Sequence, residues 1–148
     1  MKKFLIVVLI IILLGAGGIA YIAVRGTALD KESKAYAEAT VPAIITNWNE
    51  KELLDRASPE LKKVADQQQF DRMFRWFSSL GHLQKSDPLQ GGAIMSATSQ
   101  AGKQITAQYH TKATFEKGEA TVTLGLIKHG DQWEVLRFNI NSPQLVPK

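Results

Sequence analysis

The chain has 148 residues, no Cys, 45% hydrophobic side chains and a formal net charge of +4. That length allows one domain of ordinary size, and without Cys there is no disulfide framework, thiolate nucleophile, iron–sulfur cluster or Cys-type zinc site. Apart from Lys2 and Lys3, residues 25–148 hold 16 basic and 14 acidic side chains; they are interspersed, and the concentrated basic stripe of a nucleic-acid binder is missing.

Residues 4–24 read FLIVVLIIILLGAGGIAYIAV, without a charge. As a helix this segment would span about 31 Å, one hydrocarbon core. Lys2 and Lys3 precede it, so the positive-inside rule keeps the amino terminus in the cytoplasm and exports the rest. The expectation is a membrane anchor over residues 1–25 and an exported domain over 26–148. Its alternative is a cleaved signal peptide, with Phe4 to Leu14 as the apolar region and Ala16-Gly17-Gly18 as the cleavage region. Against cleavage, the chain returns to Ile19-Ala20-Tyr21-Ile22-Ala23-Val24 where a more polar stretch is usual. With no Cys, a lipoprotein anchor is excluded.

From Asp30 to Trp48 the spacing predicts a helix, opened by a capping-box-like Thr27-Ala28-Leu29-Asp30. Its apolar or small face would be Leu29, Tyr36, Ala39, Ala43, Ile44 and Trp48, and Pro42 predicts a kink or a break. A short helix follows at Glu50 to Ala57. Ser58-Pro59-Glu60 then reads as a helix start: a hydroxyl cap, Pro at the first helical position and an acid in the first turn. Gln67 to Leu80 is a strong amphipathic pattern, with Phe70, Met73, Phe74, Phe77 and Leu80 on one face, Trp76 widening it and Gly81 as the stop. Such an aromatic stripe reads as core.

The period then changes to two. A weak strand is expected at about His82 to Leu89, followed by a Gly- and Ser-rich loop through Lys103. Gln104 to Glu116 alternates, with Ile105, Ala107, Tyr109, Ala113 and Phe115 on one face. Turns at Glu116-Lys117-Gly118-Glu119 and His129-Gly130-Asp131 frame strands Ala120 to Lys128 and Gln132 to Ile140. In the last strand Trp133 and Val135 are out of phase with Phe138 and Ile140, so a bulge near Leu136-Arg137 is expected. The fold expected is α+β: an N-terminal transmembrane helix followed by a cone-shaped domain of helices packed on a four-stranded antiparallel curved sheet.

The order of elements resembles the nuclear transport factor 2-like superfamily, the cystatin-like cone. The local wording is similar to small exported bacterial members of unknown function: Ile44-Ile45-Thr46-Asn47-Trp48-Asn49, then Leu53-Leu54-Asp55-Arg56-Ala57-Ser58-Pro59-Glu60-Leu61, and the hairpin Gly130-Asp131-Gln132-Trp133-Glu134-Val135-Leu136-Arg137-Phe138-Asn139-Ile140. The resemblance covers residues 30–142. It implies a fold and, through the sheet, a homodimer; it assigns no activity.

An isomerase- or dehydratase-like member of this fold would need an acid or base inside the cone. Glu116 and Glu134 alternate with Phe115 and Trp133 and therefore point outward, and Tyr109 has no carboxylate beside it in the pattern. His110 lies on the outer phase, His82 follows a helix end where a cation suits the dipole, and His129 is in a turn. No nucleophile-elbow or phosphate-loop motif occurs. The functional expectation is a binding or assembly module without catalytic activity, cofactor or metal, at the bacterial inner membrane through residues 4–24, with an envelope protein partner or a second copy. The alternative is a small-ligand pocket, possibly enzymatic, at the mouth of the cone, lined by Trp48, Phe74, Phe77, Tyr109, Phe115 and Trp133.

Overall fold

A computed structural model describes residues 26–99 and 102–145. Helix α1 covers residues 26–45. It is followed by α2 (Glu50–Arg56), α3 (Pro59–Val64) and α4 (Gln67–Ser78), then β1 (Leu83–Ser86), β2 (Gln90–Thr98), β3 (Gly102–Phe115), β4 (Gly118–His129) and β5 (Gln132–Asn141). A 3-10 turn at Pro143–Leu145 closes the described chain. The domain is a mixed helix and antiparallel sheet fold.

The fold expectation is corrected on two counts. Among the described residues the sheet has five strands, ordered β1-β3-β4-β5, with β2 also paired to β3. β1 and β2 lie end to end along one edge of β3: Leu83 to Ser86 pair with Phe115 to Ala113, and Gln90 to Thr98 pair with His110 to Gly102. Second, no helix among the described residues is long and apolar enough to cross a membrane. The expected anchor, residues 1–25, lies outside the described residues.

The unexpected strand β2 occupies what reads as a Gly- and Ser-rich loop. Gly91 has φ +140°, and a Cβ there would sit 1.9 Å from the Gln108 carbonyl oxygen. The glycine therefore serves a close approach of two strands rather than a turn.

In α1 the buried face is Ser33, Ala37, Thr40, Val41, Ile44 and Ile45, while Ala39 is exposed. This face is rotated from the expected one because two of its members are hydroxyls, which hydropathy does not mark as core. The helix also runs through Pro42 without breaking. Pro42 leaves the Glu38 carbonyl without its bond, and both residues are exposed, so water can supply it. Nor does α1 begin with a cap at Thr27 to Asp30, since residue 26 is already helical. The Asp30 carboxylate instead accepts from the Ala93 N–H of β2 at 2.6 Å.

α3 starts as its sequence reads, with Ser58 Oγ accepting from the Leu61 N–H at 3.2 Å. A capping box at Asp66 and Gln69 opens α4. α4 buries Phe70, Phe74 and Phe77, but Trp76 is 49% exposed and does not widen the core face. The sheet covers the other side of the core with Tyr109, Ala113 and Phe115 of β3, Val122, Leu124 and Leu126 of β4, and Trp133, Val135, Phe138 and Ile140 of β5. Both halves of β5 face inward because the register shifts between Gly125 and Leu126, paired with Arg137 and Val135, which leaves Leu136 as the extra residue of a bulge.

Candidate functional site

The structure brings four of the six expected pocket residues together. Trp48 stacks on Phe115 with ring centroids 4.9 Å apart and lies 6.2 Å from Phe77. Phe77 meets Phe74 and Phe138 edge-on at 6.2 and 6.3 Å. The space enclosed by Trp48, Phe74, Phe77 and Phe115 is thus filled by their own rings. Trp48 takes a left-handed backbone, φ +50°, just past the end of α1, and its Nε1 donates to the Gly81 carbonyl at 2.7 Å.

Tyr109 lies apart from this cluster, with its hydroxyl sealed under α1. It sits 2.8 Å from Ser33 Oγ and donates to the Asp30 carbonyl at 3.3 Å. Burial pushes its pKa up, which keeps it a neutral phenol. Of the strand carboxylates, Glu116 accepts from the His82 backbone N–H at 2.8 Å.

Trp133, the sixth residue, belongs to a different place. A cleft of about 560 Å³ opens between α1, the end of α2 and the start of β5, lined by Glu32, Tyr36, Asp55, Arg56, Asp131, Gln132, Trp133 and Glu134. Most of its charges are neutralised within the protein. Glu32 pairs with Lys128 at 2.5 Å, and that lysine holds the Glu32 carboxyl below its ordinary range. The Lys128 ammonium also lies 5.5 Å from the centre of the Trp133 ring. Arg56 donates to the carboxylate and carbonyl of Glu52, one turn away. Asp55 pairs with Lys51. Glu134 meets His129 at 2.5 Å, and the other ring nitrogen of His129 meets Glu60 of α3 at 3.1 Å. Glu134 first, then Glu60, raises the His129 pKa. Among the described residues Asp131 has no ion-pair partner.

Trp133 is 7% exposed and its Nε1 is fully covered, without a hydrogen bond of good geometry. Its neighbour is the Glu32 carboxylate, which a hydrogen-bonding interaction with the indole lowers a little further after the larger effect of Lys128. Thr40 Oγ1, one turn from Tyr36 on α1, is likewise covered without a hydrogen bond of good geometry, and the Tyr36 hydroxyl is beside it. Burial raises the Tyr36 pKa, so its hydroxyl stays protonated.

The main chain of β5 faces the same cleft. Gly130-Asp131 is a two-residue turn closed by the pair His129 and Gln132. In such a hairpin the closing pair is hydrogen-bonded and the next is not, so Trp133 and Val135 point their N–H and C=O away from β4. At Val135 this outward carbonyl accepts from the Ser58 N–H at 2.9 Å, where Ala57 forms a parallel bridge with the strand. At Trp133 no such crossing bond is made among the described residues.

Only Trp133 of these residues was legible as a site candidate. Glu32 and Lys128 are 96 positions apart and Glu60 and His129 are 69 apart, so no local spacing announces either pair. The chain matches no protein-family model, no curated protein and no solved structure.

Proposed function

We propose that the chain is a non-catalytic binding or assembly module at the bacterial inner membrane, held there by its apolar residues 4–24, with its amino terminus inside and the domain outside the cytoplasm. We propose further that the domain is a nuclear transport factor 2-like cone; helices leading into a meander with a bulged last strand support that resemblance.

The observation that carries the reading is the division of the domain's aromatic side chains. The interior, where a ligand-binding or isomerase-like cone would hold its substrate, is filled by Trp48, Phe77, Phe115 and Phe138. The open, polar surface lies instead in the cleft beside β5. Paired charges and free hydrogen-bonding groups on an open surface suit recognition of a partner.

In-cell chemical crosslinking of the full-length protein, followed by mass spectrometry, tests the proposal. A reproducible envelope protein partner is expected. Recovery of the monomer alone would overturn it.

A further inference from the structure

We infer that the hairpin of β2 and β3 is a second membrane contact: its outer end, which carries Ile94 and Met95 with Lys103 beside them, lies in the headgroup layer of the bilayer that holds residues 4–24. This rests on the membrane location proposed above.

Three observations converge. The first is that the hairpin leaves the sheet. The last pair of β3 with β4 is Thr106 with Ile127, whereas β2 and β3 stay paired as far as Thr98 and Gly102. Beyond Ile94 and Thr106 the two strands therefore run on as a ribbon of their own, and such a ribbon is marginal in water without a surface to rest on.

The second is direction. α1 and β2 run antiparallel: the Asp30 carboxylate accepts from the Ala93 N–H at 2.6 Å, while Glu38, Val41 and Pro42 share a recess with Pro88 and Leu89. The ribbon thus points past the start of α1, towards the end of the chain that holds residues 4–24. From Asp30 back to residue 26 the helix rises about 6 Å, and from Ala93 on to Thr98 the strand advances about 17 Å. The ribbon overreaches the start of α1 by about 10 Å, enough to reach the headgroups of a bilayer entered at residue 24.

The third is surface chemistry. No residue from Pro88 to Gly102 is charged, in a chain that is 22% charged. Ile94 is 62% and Met95 43% exposed, on opposite faces of β2. Lys103, paired with Ala97 across the ribbon, is exposed and among the described residues has no ion-pair partner. Apolar side chains beside a lysine whose ammonium can reach phosphate suit a bilayer interface. The β4–β5 turn closes the same end of the sheet but carries Asp131, which keeps that corner in water. A second copy pairing along the β2 edge would find its ladder interrupted, because the Ala93 N–H is taken by Asp30.

The test uses full-length protein in nanodiscs of phosphatidylcholine and phosphatidylglycerol. Because the chain has no Cys, Ile94→Cys, Met95→Cys and Lys117→Cys, the last in the turn at the far end of β3, each take a single nitrobenzoxadiazole label. Quenching by nitroxide-bearing lipids should place the labels at 94 and 95 about 5–10 Å into the interface, as for other interfacial segments, and leave the label at 117 in water. Lys103→Glu should draw both hairpin labels towards water, since it turns attraction to anionic headgroups into repulsion; unchanged quenching would remove Lys103 from the contact. Labels at 94 and 95 that stay in water, in protein that remains in the nanodiscs, would overturn the inference and leave the membrane location standing. Blue-shifted emission without quenching by lipid would also overturn it, with a second copy or another protein covering the hairpin. Protein that washes off the nanodiscs would overturn the membrane location and the inference together.

Discussion

Trp48 and Trp133 both pack into the core, and Tyr109 and Tyr36 both meet the helical layer, but their polar atoms are treated in opposite ways. Trp48 Nε1 donates to Gly81, and the Tyr109 hydroxyl is shared with Ser33 and Asp30. Trp133 Nε1 makes no hydrogen bond of good geometry and only faces the Glu32 carboxylate, and Tyr36 faces the open cleft. A side chain that fills a core has its polar atoms satisfied from within, because burial without a partner is costly. On the wall of the cleft the corresponding atoms rest beside Glu32 and Thr40 with looser geometry, where side chains can rearrange. The interior therefore reads as structure and the cleft as the site.

Substitutions can break this contrast. The largest effect is expected in the filled interior: Phe77→Ala should cost about 3–5 kcal/mol, by lost transfer energy and the cavity left behind. Denaturant unfolding measures it, and a cost below about 1 kcal/mol would mean that the interior is not the close-packed core described here. Next is a matched pair. Tyr109→Phe deletes a buried hydroxyl bond to Ser33 and should destabilise by about 1–2 kcal/mol, whereas Tyr36→Phe should stay within about 0.5 kcal/mol. Equal losses would remove the distinction between the two regions.

Thr40 on α1, beside Tyr36, sharpens the same comparison. Thr40→Val keeps the shape and removes a buried hydroxyl whose bond to the Tyr36 hydroxyl is poorly aligned, so stability should change by less than about 1 kcal/mol. Thermal unfolding would show the size, and a larger loss would mean that this bond is well formed in solution.

The smallest effect concerns the rim of the cleft. The His129 pKa is raised, chiefly by Glu134, so its contribution to stability is full below about 6.5, the ordinary histidine value, and is lost as pH rises through the folded-state value. Glu60 is lowered, first by its own backbone N–H at the helix start, and its contribution is lost as pH falls through its folded value. The contact between α3 and the β4–β5 turn should accordingly be tightest in mildly acidic solution. NMR titration of His129 should give a pKa above the ordinary value, and His129→Gln should cost less than about 1 kcal/mol, as expected for exposed pairs. A titration at or below the ordinary value would separate His129 from its two glutamates.

Much of this architecture was legible in local pattern. The alternation of Ile105 to Phe115, the phase change between Val135 and Phe138 and the Ser58-Pro59-Glu60 start all follow from side chains that must choose one face of a strand or one turn of a helix. The face of α1 is not legible in hydropathy, because Ser33 and Thr40 are core positions by contact. β2 has the composition of a loop, since Gly91-Gly92 is typical of a turn, and its strand state comes from pairing with β3.

By itself, then, the sequence determined the periodic elements and their order, the register of the last hairpin and the apolar character of residues 4–24, all set by interactions within a few residues or by composition. Only the tertiary structure decided which aromatic rings close on one another, where β2 lies and that Glu32, Tyr36, Arg56 and Trp133 share one cleft. These depend on contacts between residues tens of positions apart, whose meeting is fixed by how the helices settle on the sheet and leaves no mark in local spacing.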